Sequence, residues 1–283
     1  MDAVIRQITA WDGLTLAVHE WDDGDDRTPL LCLPGLVRTG ADFAELAGAL
    51  GTGRRVVAPD YPGRGASGRS KDIKRYAPEA CLRDVLDLCA ALHLHEVVAI
   101  GTSFGGLLSM GLAAARPTLL RGVVLNDIGP EIGTAGSDFV RHFIADDPAF
   151  ADIDTCITFL RDKLPPLSLD SDAAWQRMAA LTYTKGADGR YHPCWDVAIA
   201  KLLDTPPPDL WPLFGGLAHV PLLLVWGEVS DILLPDTITA MRAARDAIGA
   251  GMEVVSLPGI GHAPTLTEPP VLHAIGTFLD RIV

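Results

Sequence analysis

Several short stretches of this chain are apolar through their whole centre: "PLLCLPG" (29–35), "RRVVAPD" (54–60), "EVVAIG" (96–101), "RGVVLND" (121–127), "VPLLLVWGE" (220–228) and "MEVVSLPG" (252–259). A strand with one wet face alternates polar and apolar residues, so runs without alternation are strands covered on both sides. Helical periodicity separates them. In "DFAELAGAL" (42–50) Phe43, Leu46, Ala47 and Leu50 share one face, and helices also fit 78–92, 104–115, 236–248 and 269–282. This alternation places the chain in the α/β class, with a mostly parallel sheet and helices on both faces. Only the first 21 residues differ. Their two short strands flank Asp12-Gly13, a hairpin dipeptide.

The rhythm stops from about Ile128 to Leu217. This region carries Phe139, Phe143, Phe150, Phe159, Trp175, Tyr183, Tyr191 and Trp195, helix-like stretches and a proline-rich end, "TPPPDLWP" (205–212). It reads as a helical insertion, 128–217, between two strands of a core formed by 1–127 and 218–283. An insertion there is placed to act as a lid.

Charge narrows the partners. With 23 basic residues against 36 acidic ones the formal net charge is −13, which argues against a phosphate-backbone reader. No nucleic-acid partner is expected. The acidic residues are dispersed except at Asp22, Asp23, Asp25 and Asp26, which read as a solvated turn. No apolar stretch reaches the roughly 20 residues of a membrane span, and the N-terminus lacks a basic start and long apolar segment. The five cysteines contain no CxxC pair and suit a reducing compartment, so a cytoplasmic protein is expected. Histidines outside the motif below have no partner pattern, so neither metal nor cofactor is expected.

Chemistry concentrates at "AIGTSFGGLL" (99–108), where a strand turns into a helix around Ser103. Gly101 and Gly105, two positions either side, allow a sharp turn with the serine at its apex. A serine hydroxyl needs a base, and the base needs an orienting carboxylate. Two later loops supply both: "GEVSD" presents Asp231 and "GIGHAP" presents His262, each just past the carboxyl end of a strand. Ser103, Asp231 and His262 thus converge on one edge of a parallel sheet, where α/β sites form.

With "GTSFGG", "GEVSD", "GHAP" and "DYPGRGASG" (60–68), the chain resembles the α/β-hydrolase fold family over essentially its whole length. The resemblance implies an eight-stranded sheet with a helical cap after its sixth strand, about 128–217. It also implies an oxyanion hole made by the amides of Leu36, after Pro34-Gly35, and Phe104. Where the family places His-Gly this chain has Pro34-Gly35, a change that leaves the backbone donors in place. Arg38, two residues after Leu36, reads as a surface arginine, with a place at the site mouth as the alternative. Some members carry the acid after the sixth strand, where Asp127 stands. The loop "GEVSD" makes Asp231 the expected acid and leaves Asp127 to the cap hinge.

Serine at the elbow separates the chain from the branches that open epoxides or displace halide. The expected function is hydrolysis of small-to-medium apolar carboxylic esters, or lactones, through an acyl-enzyme, with Ser103 as nucleophile, His262 as base and Asp231 as acid. A small-molecule ester is then the expected partner. Two alternatives stay open: a carbon–carbon bond hydrolase of ring-fission products, and a hydrophobic-ligand receptor with slow hydrolysis. Ala263-Pro264 follows the histidine where the carbon–carbon hydrolases commonly carry tryptophan.

Overall fold

The computed structural model describes residues 2–22, 24, 27–51 and 53–282. In chain order the first half contains β1 (Val4–Thr9), β2 (Thr15–Trp21), β3 (Arg27–Leu33), α1 (Ala44–Leu50), β4 (Arg54–Pro59), α2 (Pro78–Ala91), β5 (Val97–Thr102), α3 (Phe104–Ala115) and β6 (Leu120–Asn126). An insertion follows: α4 (Thr134–Ile144), α5 (Ile153–Lys163), α6 (Asp172–Thr182), the short strands β7 (Tyr183–Lys185) and β8 (Tyr191–Pro193), and α7 (Trp211–Gly215). The chain then returns through β9 (Leu222–Gly227), α8 (Pro235–Asp246), β10 (Glu253–Leu257) and α9 (Pro269–Asp280). Of the acidic run, Asp23, Asp25 and Asp26 lie outside the described residues.

Eight strands form one sheet in the order β1-β2-β4-β3-β5-β6-β9-β10. β1 and β2 pair antiparallel around the Asp12-Gly13 turn, and β2 pairs antiparallel with β4. Every other pairing is parallel. Successive side chains on the central strands point to opposite faces, and each face has its own cover. Val97 and Ala99 pack with Val85 and Leu88 of α2 and Met110 and Leu112 of α3, whereas Val98 and Ile100 pack with Leu46 of α1 and Ile275 and Phe278 of α9. That is why β5 shows no alternation. At about 25 cal/mol per Å2 of buried apolar surface, both layers contribute to stability, so neither face tolerates a charge.

The insertion departs from the helical expectation at one place. β7 and β8 form an antiparallel hairpin, Tyr183 opposite Pro193 and Lys185 opposite Tyr191. Its turn carries Asp188-Gly189, with Gly189 at φ +82°, flanked by tyrosine and threonine. That is the same hairpin chemistry as Asp12-Gly13, masked by the helical segments on its N-terminal side. The aromatics mostly pack on one another: Phe143 stacks on Phe139, Phe159 and Trp195, and Phe150 meets Tyr183 edge-on at 5.1 Å. Among the described residues no helix is long and apolar enough to cross a membrane.

Candidate active site

Ser103 stands between β5 and α3 with φ 51° and ψ −114°, a conformation that an L-residue holds only under constraint. The constraint is close backbone packing. A Cβ on Gly105 would come within 1.9 Å of the Leu33 carbonyl oxygen, and one on Gly101 within 2.4 Å of the Gly105 carbonyl oxygen. Both glycines are therefore obligatory, and α3 lies directly against β3 and β5. The Ser103 amide donates to Asn126 O at 2.9 Å, which ties the elbow to the end of β6.

His262 follows β10 and reaches back over the sheet edge. Its Nε2 lies 2.9 Å from Ser103 Oγ, and its Nδ1 lies 2.7 Å from Oδ2 of Asp127. A carboxylate only accepts, so Nδ1 carries the proton and Nε2 offers its lone pair to the serine hydroxyl. Asp127 is fully buried just past β6, at φ 55°. Its Oδ2 also accepts from Ser230 Oγ at 2.6 Å, its Oδ1 accepts from the Gly227 amide at 3.1 Å, and its own amide donates to Val225 O at 2.8 Å.

This arrangement corrects the expectation for Asp231. The expected loop does reach the site, but through Ser230, which is buried and points at Asp127, whereas Asp231 is exposed. Asp231 lines the same cavity as Ser103 and His262, but it is Ser230 that bonds the carboxylate on the imidazole. The Asp231 carbonyl packs against Gly133 and Gly136, where a Cβ would approach within 2.0 and 2.6 Å, and its carboxylate has no hydrogen-bond partner among the described residues. Asp127 is the carboxylate on the imidazole. The signal was present in "VVLND": a lone charge at the end of a wholly buried strand needs a partner.

The amides of Leu36 and Phe104 have no acceptor within the protein among the described residues. Phe104 follows Ser103 directly. Leu36 lies three residues past Leu33, which stands opposite Gly101 near the end of β5, and lines the same cavity as Ser103. Arg38 is no free surface cation: its guanidinium is bidentate to Asp42, at 2.6 and 2.7 Å, and donates to Thr182 Oγ1 of α6 at 2.7 Å. Trp175 has its indole N–H on Leu169 O. A cavity of about 920 Å3 opens beside Ser103 and His262, walled by Phe139, Val140, Phe143, Leu160, Met178 and Leu181 of the insertion.

Burial pushes the thiols of Cys81, Cys156 and Cys194 up to about 11 and that of Cys89 up to about 12; Cys32 goes higher still. None is a thiolate at neutral pH.

A sequence profile of the α/β hydrolase fold matches residues 28–269. The chain belongs to the α/β-hydrolase fold family. Within that family it is 32% identical over 267 residues to the 3-hydroxybutyrate-oligomer hydrolase of Cupriavidus necator, spanning 90% of this chain and 89% of that one. It is 28% identical to the 2-(acetamidomethylene)succinate hydrolase of Mesorhizobium japonicum, over 94% of this chain and 92% of the relative. The crystal structure of an α/β hydrolase from Novosphingobium aromaticivorans superimposes with a TM-score of 0.91 at 39% identity, covering 99% of both chains. The relatives are hydrolases, and their likeness to this chain spans the core and the insertion together.

Proposed function

We propose that this α/β hydrolase cleaves carboxylic esters through an acyl-enzyme, with Ser103 as nucleophile, His262 as general base and Asp127 as the orienting acid. One observation carries the reading: the continuous relay from Ser103 Oγ to His262 Nε2 at 2.9 Å and from His262 Nδ1 to Asp127 at 2.7 Å. His262 takes the hydroxyl proton as Ser103 attacks the ester carbonyl. Asp127 holds the tautomer and stabilises the imidazolium without being protonated itself. The tetrahedral oxyanion is received by the amides of Leu36 and Phe104, and collapse expels the alcohol with the proton from His262. Water, activated by the same imidazole, then releases the acid.

Residues 128–217 act as a cap that excludes water from this chemistry. Their apolar wall over a cavity of about 920 Å3 favours small-to-medium acyl chains. The name of the Cupriavidus necator relative directs the substrate class toward ester-linked hydroxyacyl units.

A fluorophosphonate label tests the nucleophile: the wild type is expected to take it up on Ser103, and Ser103→Ala to lose both label and turnover. Undiminished labelling of Ser103→Ala sinks the assignment. Incubation with p-nitrophenyl butyrate and with 3-hydroxybutyrate dimers then separates enzyme from receptor. Sustained release of acid over many turnovers is expected, and a stall after about one equivalent of nitrophenol overturns the catalytic reading.

A further inference from the structure

Arg64 lies in the loop "DYPGRGASG", between two glycines that both hold positive φ, Gly63 at +75° and Gly65 at +53°. A Cβ on Gly63 would meet the Tyr76 ring at 2.8 Å, and one on Gly65 the Asp60 carboxylate at 2.2 Å. Asp60 accepts from the amides of Gly40 and Ala66, and Ser67 Oγ donates to the Asp60 carbonyl, so the loop has one shape. That shape turns the Arg64 side chain inward, where its exposure is 0%. Its backbone bridges Trp195 of the insertion, while Gly65 N donates to Cys194 O and Asp196 N to Gly63 O.

The environment of the guanidinium is unusual for a buried cation. Among the described residues no carboxylate lies within ion-pairing distance of it; Asp196, bonded to Tyr76 Oη, acts on it from further off, and the Cys81 thiol lies beside it. Nε donates to Leu36 O at 2.7 Å and Nη1 to Pro62 O at 2.6 Å, while Nη2 is buried without an acceptor. The rings of Tyr61, Tyr76 and Phe104 surround it, with centroids 5.8, 5.7 and 5.9 Å from Cζ. Ring faces offset part of the cost of burial, but an uncompensated buried charge is still destabilising. An apolar side chain in this position would avoid that cost but leave the Leu36 and Pro62 carbonyls without their donor. Arginine does not shed its proton, so the charge stays.

Two of the residues that Arg64 touches, Leu36 and Phe104, carry the free amides at the Ser103 end of β5. We infer that Arg64 is an electrostatic positioning residue of the oxyanion site: it anchors the Leu36 loop through the carbonyl and supplies the positive charge that the oxyanion meets. No carboxylate pairs directly with Arg64, which leaves its charge available to the one that forms on the substrate oxygen when Ser103 attacks. Such a charge acts on the transition state and not on the neutral ester, so it raises kcat and leaves KM nearly unchanged. Because the loop is also bonded to residues 194–196, the same arginine couples the seating of the insertion to the geometry of the oxyanion site. The inference rests on the serine-hydrolase reading above.

The test compares Arg64→Met, Arg64→Gln and Arg64→Lys with wild type on p-nitrophenyl butyrate, with active sites counted by fluorophosphonate titration. Removing a direct oxyanion donor costs on the order of 10² to 10³ in rate, and Arg64 acts one residue behind the donors. Arg64→Met is expected to lower kcat per titrated site by about 10- to 100-fold, with KM changed less than threefold. Affinity for phenylboronic acid, whose serine adduct carries the tetrahedral negative charge, should fall in parallel. Arg64→Lys should recover more activity than Arg64→Gln, because the charge outweighs the single hydrogen bond. Equal kcat in wild type and folded Arg64→Met, or a better recovery by Gln than by Lys, overturns the inference. Should the variants not fold, the wild type decides: the 15N resonance of Arg64 Nε must move when phenylboronic acid is added, and an unmoved resonance overturns the inference. Failure of the wild type to take the label strikes the serine-hydrolase reading itself, which the arginine series then does not reach.

Discussion

Asp127→Asn is the sharpest perturbation of the site, because the geometry leaves the asparagine no neutral way to fit. Oδ1 accepts from the Gly227 amide and Oδ2 from both Ser230 Oγ and His262 Nδ1. An amide nitrogen in the Oδ1 place sets two donors against each other at Gly227. In the Oδ2 place it donates to Nδ1, so the imidazole proton moves to Nε2, where it blocks uptake of the serine proton. The electrostatic loss can be bounded. At 2.7 Å, an effective dielectric of about 20 gives the imidazolium–carboxylate pair about 6 kcal/mol. The hydrogen-bonded amide returns part of that, and about 1.4 kcal/mol corresponds to tenfold, so the expected fall in kcat is on the order of 10³ to 10⁴. Asp231→Asn removes an exposed carboxylate that lines the cavity but has no partner among the described residues, and should change kcat less than about threefold. The assay is p-nitrophenyl butyrate turnover per fluorophosphonate-titrated site, with circular dichroism confirming that Asp127→Asn is folded. A severe loss in Asp231→Asn with a mild one in Asp127→Asn refutes the assignment of the acid.

Three further outcomes are expected. Gly105→Ala puts a methyl 1.9 Å from the Leu33 carbonyl oxygen, with backbone on both sides; at least about 3 kcal/mol of destabilisation should lower Tm by roughly 6–12 °C, and an unchanged melting curve contradicts the packing. Phe143→Ala, in the cavity wall, should shift preference between p-nitrophenyl acetate and octanoate by about tenfold, as for a lost apolar contact, whereas Trp175→Ala, outside the wall, should leave the ratio unchanged. His192 faces Asp147 through Nδ1 at 2.8 Å and Asp188 through Nε2 at 3.1 Å, first Asp147 and then Asp188 holding its pKa above the usual imidazole value. A raised folded-state pKa gives stability that is complete below the unfolded value and is lost as pH rises through the folded one. The Tm advantage of wild type over His192→Gln should therefore be largest in mild acid and fade above neutrality; an advantage that grows with pH refutes the pairing.

The sheet was legible in the sequence because its cause is local. Runs such as "VVAIG" have no polar face to offer water, and two covers follow from that alone. Ser103 and His262 were legible for a related reason, since glycine-crowded turns at strand ends announce themselves. What escaped depended on contacts between distant segments. Asp231 and Ser230 are equally polar in "GEVSD", and only the packed loop, with the Asp231 carbonyl on Gly133 and Gly136, decides that Ser230 meets Asp127 while Asp231 lines the cavity unbonded among the described residues. The partner of His19, Asp60, lies 41 residues on, and Arg64 in "GRG" looks like any solvated loop cation until Tyr61, Tyr76 and Phe104 close round it. Hairpin 183–193 was hidden by scale: three-residue strands give too short an alternation to count.

The position of the acid follows from how adjacent strands end. Ser103 and Asp127 are the residues just past β5 and β6, and both hold positive φ. Each amide still bonds to the next strand over, Ser103 to Asn126 O and Asp127 to Val225 O. The two side chains thus leave the sheet edge at one level, one strand apart, and an imidazole hydrogen-bonds to both through its opposite nitrogens. Asn126 adds a brace: its Nδ2 donates to Pro264 O at 2.9 Å, which fixes the histidine loop against the same strand end. A carboxylate after β9 leaves the sheet one strand further from Ser103 than Asp127 does. Ser230 takes that place instead. Its hydroxyl, accepting from the amides of Ile232 and Leu233, is oriented to donate to Asp127. Ser230→Ala should therefore leave the acid in place but remove one of its donors, raising the energy of the carboxylate. A loss of about tenfold in kcat is expected, the scale of one hydrogen bond to a charged group. Ser230→Asp would bring a second carboxylate against the first, and the repulsion should cost more activity than the alanine does. If instead Ser230→Asp rescues Asp127→Asn, the fold can carry its acid from either strand, and the strand-end geometry argued above does not dictate the choice.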